Sequence, residues 1–213
     1  MKLGEIKIAV LAMIFPEEIF EADYDNEDSL RELIFNLRQN PNYSDMLANM
    51  PLIINRCFSS LLQKSILPTK EHEIDSKNAT KMGDRLKINV ESKMSKIERI
   101  AFYNDKRYEP RVSYVRQSTD TILLPDWHGT FVIVYANPVN RISPLTGDNY
   151  EIDLPDDICE LIPYFVKSEL LRSEDPDEAS VTRNIYEQLI EEIVSDRTDC
   201  QLSVENTYQI DLT

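Results

Sequence analysis

Glycine is scarce in this sequence, with 4 residues in 213 against 11 prolines. Loops that cradle phosphate need several glycines close together, so this scarcity argues against a Gly-rich nucleotide loop. Cysteine is also rare. Cys57, Cys159 and Cys200 are odd in number and far apart. They offer neither metal-ligand spacing nor a disulfide framework, which points to folding in a reducing compartment. No apolar run reaches the roughly 20 residues of a membrane span. The opening MKLGEIKIAVLAMIF is interrupted by Glu5 and Lys7, and no small-residue cleavage site follows, so it does not read as a signal peptide. Leu3, Ile6, Val10 and Met13 fit an amphipathic helix instead. Positive charge is the last shortage. The 23 basic residues face 38 acidic ones, a net charge of -15, and such a chain repels the phosphate backbone of nucleic acid.

What is present is a chain that is 42% hydrophobic, enough for one large core or two small ones. Residues 1 to 66 read as helical. Asp28 or Ser29 can cap a short helix bearing Leu30, Leu33, Ile34 and Leu37. Pro51 suits the first turn of another, with a stripe of Ile53, Ile54, Cys57, Phe58, Leu61 and Leu62. From 70 to 145 the pattern becomes that of strands. RLKINVES alternates through Leu86, Ile88 and Val90, and IERIAFY, RVSYVRQ, TILLP and TFVIVYAN follow. NDKR and DWHG read as turns, and HEIDSKNATKMGD as a polar surface loop. These spacings predict an antiparallel β-meander of four or five strands.

After residue 150 comes a helical hairpin. Asp153 or Asp156 can cap its first helix, whose stripe is Ile158, Leu161, Ile162, Phe165, Val166, Leu170 and Leu171. Pro163 lies inside that stretch and is expected to kink it. SEDPDEAS breaks the helix. The second helix carries Val181, Ile185, Leu189 and Ile193 at spacings of four, with Tyr186 and Ile190 beside them. The fold class is therefore α+β. Residues 1–66 and 146–195 form one helical domain, 70–145 an inserted antiparallel β domain, and 196–213 an extended C-terminal tail. In that tail Leu202, Val204, Tyr208 and Ile210 are candidate assembly contacts, which a neighbouring sheet edge could take as an added strand.

Candidate chemistry is thin. Glu71, His72 and Glu73 form an acid–His–acid run with no second ligand cluster nearby. DWHG at 126–129 offers a carboxylate, an indole and an imidazole without an accompanying nucleophile. SPLTGDNYEIDLPDD is acidic but lacks the alternation of a calcium loop. No catalytic, cofactor or metal residue is assigned. The residues point to a binding or structural protein rather than an enzyme.

The hairpin reads L-P, then L-I-P-Y-F, then an acidic D-P-D-E-A, then R-N-I-Y-E and E-I. These are Leu154 and Pro155, Leu161 to Phe165, Asp175 to Ala179, Arg183 to Glu187, and Glu192 with Ile193. Together with KLGEIKIAVLAMIF and MPLIINRCFSSLLQK (Met50 to Lys64), this pattern resembles the head–tail connector (adaptor) proteins of tailed bacteriophages. The resemblance implies a virion protein with no enzymatic activity and no cofactor. It would be made in the host cytoplasm and would form a homo-oligomeric ring, twelvefold in such proteins, beneath the portal protein. The ring would extend the DNA channel, let DNA pass without specific binding, and dock tail or neck proteins, with no membrane involved. The competing expectation, from a different class, is a monomeric acidic cellular adaptor or regulatory protein that binds a protein partner.

Overall fold

The computed structural model describes residues 1–18, 20, 26–91, 94 and 96–208, with side chains for all of these except residues 27 and 196–208. The fold is α+β, with helices towards both ends of the chain and antiparallel sheets between them. The chain divides into two compact units, Met1–Leu61 with Val139–Thr213, and Leu62–Pro138.

In the helical unit, α1 (Leu3–Ile14) is buried almost all round rather than amphipathic. Leu3, Gly4, Ile6, Lys7, Ile8, Val10 and Leu11 are all buried. A helix apolar on most sides belongs in the middle of a bundle. Its N-terminus is held by segment 148–152. Gly4 N–H donates to the Asp148 carbonyl at 2.7 Å, Leu3 N–H to the Tyr150 carbonyl at 2.9 Å, and Lys2 bridges Glu151 antiparallel. A Cβ on Gly4 would stand 2.9 Å from Ile34 Cδ1 and Leu30 Cδ2 and 3.0 Å from the Asp148 carbonyl, so only glycine lets α2 approach this closely.

Helix α2 (Glu27–Gln39) is capped by Asn26, not by Asp28 or Ser29. Asn26 Oδ1 accepts from the Asp28 and Ser29 N–H groups at 3.1 and 3.4 Å. Its expected stripe is inward, with Leu30, Ile34 and Leu37 buried. Helix α3 (Pro41–Gln63) starts ten residues earlier than expected. Pro41 takes the opening position, and Pro51 sits inside a continuous helix. One proline removes a single i→i−4 hydrogen bond, and a 23-residue helix with one face buried can absorb that loss.

The C-terminal hairpin forms as α4 (Asp156–Cys159), α5 (Ile162–Leu170) and α6 (Pro176–Tyr208). Pro163 does not kink one long helix. It occupies the first turn of α5, where its missing N–H has no intrahelical partner to lose. Pro155 stands at the N-cap of α4 without a side-chain bond, and Asp156 and Asp157 follow in the first turn, where carboxylates suit the positive end of the helix. Pro176 opens α6, and Asp175 Oδ1 accepts from Glu178 N–H at 3.0 Å.

The tail departs from expectation. The helix continues past Ser195 to Tyr208 instead of giving way to an extended strand. No Gly or Pro lies between Ser195 and Tyr208, so nothing in the backbone chemistry ends the helix.

Among the described residues the β unit holds eight strands in two antiparallel sheets rather than one meander. Strands β1 (Thr69–Asp75), β8 (Thr130–Ala136), β4 (Ile97–Asn104) and β5 (Arg107–Glu109) pair in that order. So do β2 (Thr80–Met82), β3 (Arg85–Asn89), β7 (Thr121–Pro125) and β6 (Val115–Ser118). The inner residues of both sheets share one core, including Leu86, Ile88, Ile100, Phe102, Ile122, Leu124, Phe131 and Ile133. The segment expected to be a surface loop contributes β1 and β2. Both are edge strands, where polar and charged residues are normal because they guard an open edge.

Candidate functional site

The residues singled out for chemistry do not converge. His72 lies on edge strand β1, opposite Ile133, whereas His128 is exposed in the turn before β8. The rest of DWHG is structural. Asp126 pairs with Lys81. Trp127 meets Phe102 edge-on at 5.2 Å and carries the Arg107 guanidinium 4.2 Å above its ring. Gly129 has φ +156, and a Cβ there would come within 2.8 Å of the Phe102 ring and 2.6 Å of the Tyr103 carbonyl. The turn is thus fixed by packing, and the hydroxyl beside it, Ser76 Oγ, is engaged as the acceptor of Gly129 N–H at 3.0 Å. Among the described residues, no group of three His, Cys, Asp or Glu could hold a metal ion.

The two described thiols, Cys57 and Cys159, are poorly suited to nucleophilic chemistry. Burial pushes Cys57 up to about 12 and Cys159 up to about 11. Cys57 faces Tyr186, whose phenol is itself raised by burial and donates towards Ser60 Oγ at 3.5 Å. A thiolate, the reactive form, is not available in such a setting near neutral pH.

The surface of α6 is more informative. Its inner face is Ala179, Thr182, Tyr186 and Ile190, all buried. Tyr186 meets Phe165 of α5 edge-on at 5.2 Å. The Arg183 guanidinium lies 4.6 Å over the Phe165 ring and pairs with Glu187 at 3.1 Å and Glu169 at 3.7 Å. The stripe read from the sequence as core is offset from this face. Val181 is 55% exposed and Ile185 38% exposed, while Leu189 and Ile193 are half-buried. On the helix, Asp177, Val181, Ile185, Gln188 and Glu192 are spaced three and four apart, and all are exposed. The outer face of α6 is therefore an apolar pair between carboxylates. Arg183 is the one cation between Pro176 and Ser195.

A second exposed feature sits where α2 meets the loop at 144–149. Asp148 is its anchor. Its carboxylate takes Lys7 Nζ at 2.5 Å and Arg38 at 3.1 Å. Lys7 is 2% exposed, and burial lowers its pKa against the opposing pull of Asp148. Above this buried pair, Arg31, Phe35, Arg38 and Leu145 line a cleft of about 420 Å³. Phe35 and Leu145 are strongly exposed.

The expected contact residues Leu202, Val204 and Tyr208 fall on α6, not on a strand. Their side chains, and Ile210 altogether, lie outside the described residues.

Comparison with protein-family models and with curated proteins returns no match to this chain. Among the described residues no helix is long and apolar enough to cross a membrane.

Proposed function

We propose that the protein is a non-enzymatic structural subunit that assembles into a homo-oligomeric ring, in the manner of the head–tail connectors its hairpin sequence resembles. In that role it would sit in the virion beneath the portal, extend the DNA channel and receive tail or neck proteins. The observation that carries the reading is the outer face of α6, where Val181 and Ile185 stand exposed beside a completed intrachain core. A ring subunit needs apolar surface beyond what its own fold buries, because each copy contacts two neighbours.

The charge distribution fits a channel component. Met1–Leu61 with Val139–Thr213 carry 10 basic and 28 acidic residues, a net charge of -18. A surface of this sign does not hold passing phosphate.

Electron microscopy of the purified chain, with native mass spectrometry, tests the reading. The expected result is a closed ring with rotational symmetry. A chain that stays monomeric at all concentrations, alone and with a portal ring, would favour the acidic adaptor class instead.

A further inference from the structure

The charge of -15 is unevenly divided. Leu62–Pro138 carry 13 basic and 10 acidic residues, a net charge of +3 in a chain whose remainder is strongly acidic. Part of that positive charge is placed on one sheet face. In the sheet β2–β3–β7–β6, Leu86, Ile88, Ile122 and Leu124 point into the core. By alternation, Arg85 and Lys87 point outward. The register sets Arg85 beside Met82 and Pro125, and Lys87 beside Thr80 and Leu123, with Val115 next to Leu123.

Three features make this face unusual. The outward positions of its strands carry two cations and no carboxylate, and the nearest in sequence, Asp84, lies in the turn between β2 and β3. Neither Arg85 nor Lys87 has an ion pair or a side-chain hydrogen bond among the described residues. Met82 and Val115, flanking the cations, are 52% and 49% exposed. An apolar surface studded with unpaired cations fits an acidic, amphipathic partner.

The outer face of α6 has the complementary chemistry. Val181 and Ile185 are exposed, and Asp177 and Glu192 beside them have no ion pair among the described residues. The spacings agree. Residues four apart on a helix repeat every ~6 Å, and outward residues two apart on a strand every ~6.7 Å. A helix laid on the sheet can therefore set Asp177 against the Arg85–Lys87 pair with Val181 and Ile185 on the apolar surface beside it, while Glu192, fifteen residues and ~22 Å further along the helix, lies beyond that pair and adds only to the negative field.

We propose that the outer face of β2–β3–β7–β6 in one copy docks on the outer face of α6 in a second copy. The proposal rests on the ring reading and names the two surfaces that meet. Because the surfaces differ, the contact is head-to-tail, the type that closes into rings rather than stopping at a dimer. Phosphate is the less suited occupant, since two cations beside an exposed methionine, an exposed valine and a half-buried leucine offer little to a nucleic-acid backbone.

The test is charge reversal on each surface, followed by sedimentation velocity across a concentration series. One protein carries Arg85→Glu and Lys87→Glu, the other Asp177→Lys and Glu192→Lys. Asp177 and Glu192 are exposed and Arg85 and Lys87 half-buried, and thermal melting checks that each variant folds. Each variant alone should self-associate at least about tenfold more weakly than wild type. An equimolar mixture should recover association, because reversed helix then meets reversed sheet. A wild-type ring that both variants still form with unchanged affinity overturns the interface and leaves the ring reading standing. Wild-type association that is lost and recovered in this pattern, but yields no closed ring, supports the interface and sinks the ring. Duplex-DNA binding abolished by Arg85→Glu and Lys87→Glu, with assembly untouched, overturns the proposal in favour of nucleic acid.

Discussion

Single residues hold this protein together at a few points where a polar group lies inside an apolar surround. Asp148 is the clearest. It neutralises Lys7, which is almost wholly buried, accepts from half-exposed Arg38, and presents its carbonyl to Gly4. Removing one member of such a pair strands the other charge, which costs about 3–5 kcal/mol. Asp148→Ala should therefore destabilise strongly in urea unfolding. The double variant Lys7→Met with Asp148→Ala should recover much of the loss, and equal destabilisation by both proteins would show that the charge is not the reason. Cys57 gives a pH-dependent case. Its folded pKa of about 12 lies above its ordinary value of 9.0, so the folded state holds its proton more tightly. The stabilisation is complete below pH 9 and declines as pH rises towards 12, by about 1.4 kcal/mol per pH unit. Urea midpoints at pH 8 and pH 10 should fall less for Cys57→Ala than for wild type, and parallel declines would remove Cys57 from the account. None of this residue-level detail is legible in the sequence. Nothing in the spacing of Lys7 and Asp148, 141 positions apart, announces that they pair.

At the scale of elements, the sequence carries the type of structure well and the side that is buried less well. The α6 pattern contains two overlapping stripes, Val181–Ile185–Leu189–Ile193 and Ala179–Thr182–Tyr186–Ile190. Counting apolar residues selects the first, but packing selects the second. The second has small residues where α6 begins and an aromatic ring where Phe165 can meet it. Strands β1 and β2 were hidden by their polarity, because edge strands need not alternate cleanly. The helical course from Ser195 to Tyr208 was hidden by β-branched and polar residues, which are weak signals in either direction. Pro163 and Pro51 misled in opposite ways, since a proline reports a missing donor and not which helix it belongs to. The offset stripe leads to a prediction. Val181→Asp with Ile185→Asp should leave the melting temperature within a few degrees of wild type and abolish self-association. Tyr186→Ala, on the inner face, should cost about 3–5 kcal/mol of stability. If the Asp pair unfolds the protein and Tyr186→Ala does not, the faces of α6 have been assigned the wrong way round.

For the whole molecule, the sum of charge conceals its arrangement. A net charge of -15 averages a helical unit at -18 and a β unit at +3. The positive unit could be taken for a nucleic-acid module, and the magnitudes decide against it. Proteins with 6–10 phosphate contacts bind nonspecific duplex with dissociation constants of about 10⁻⁴–10⁻⁶ M at physiological salt. Each contact contributes about 0.9 to the logarithmic salt slope. The sheet face supplies two unpaired cations in a unit of only +3, and the helical unit at -18 repels the same duplex. Fluorescence anisotropy with the full chain should therefore show no binding to duplex DNA at physiological salt and protein concentrations up to about 10⁻⁴ M. That outcome is what a channel component requires, because a wall that grips phosphate slows the strand it should pass. Micromolar binding with a steep salt slope would mean that the positive face reaches DNA after all, and the passive-channel reading would have to be abandoned.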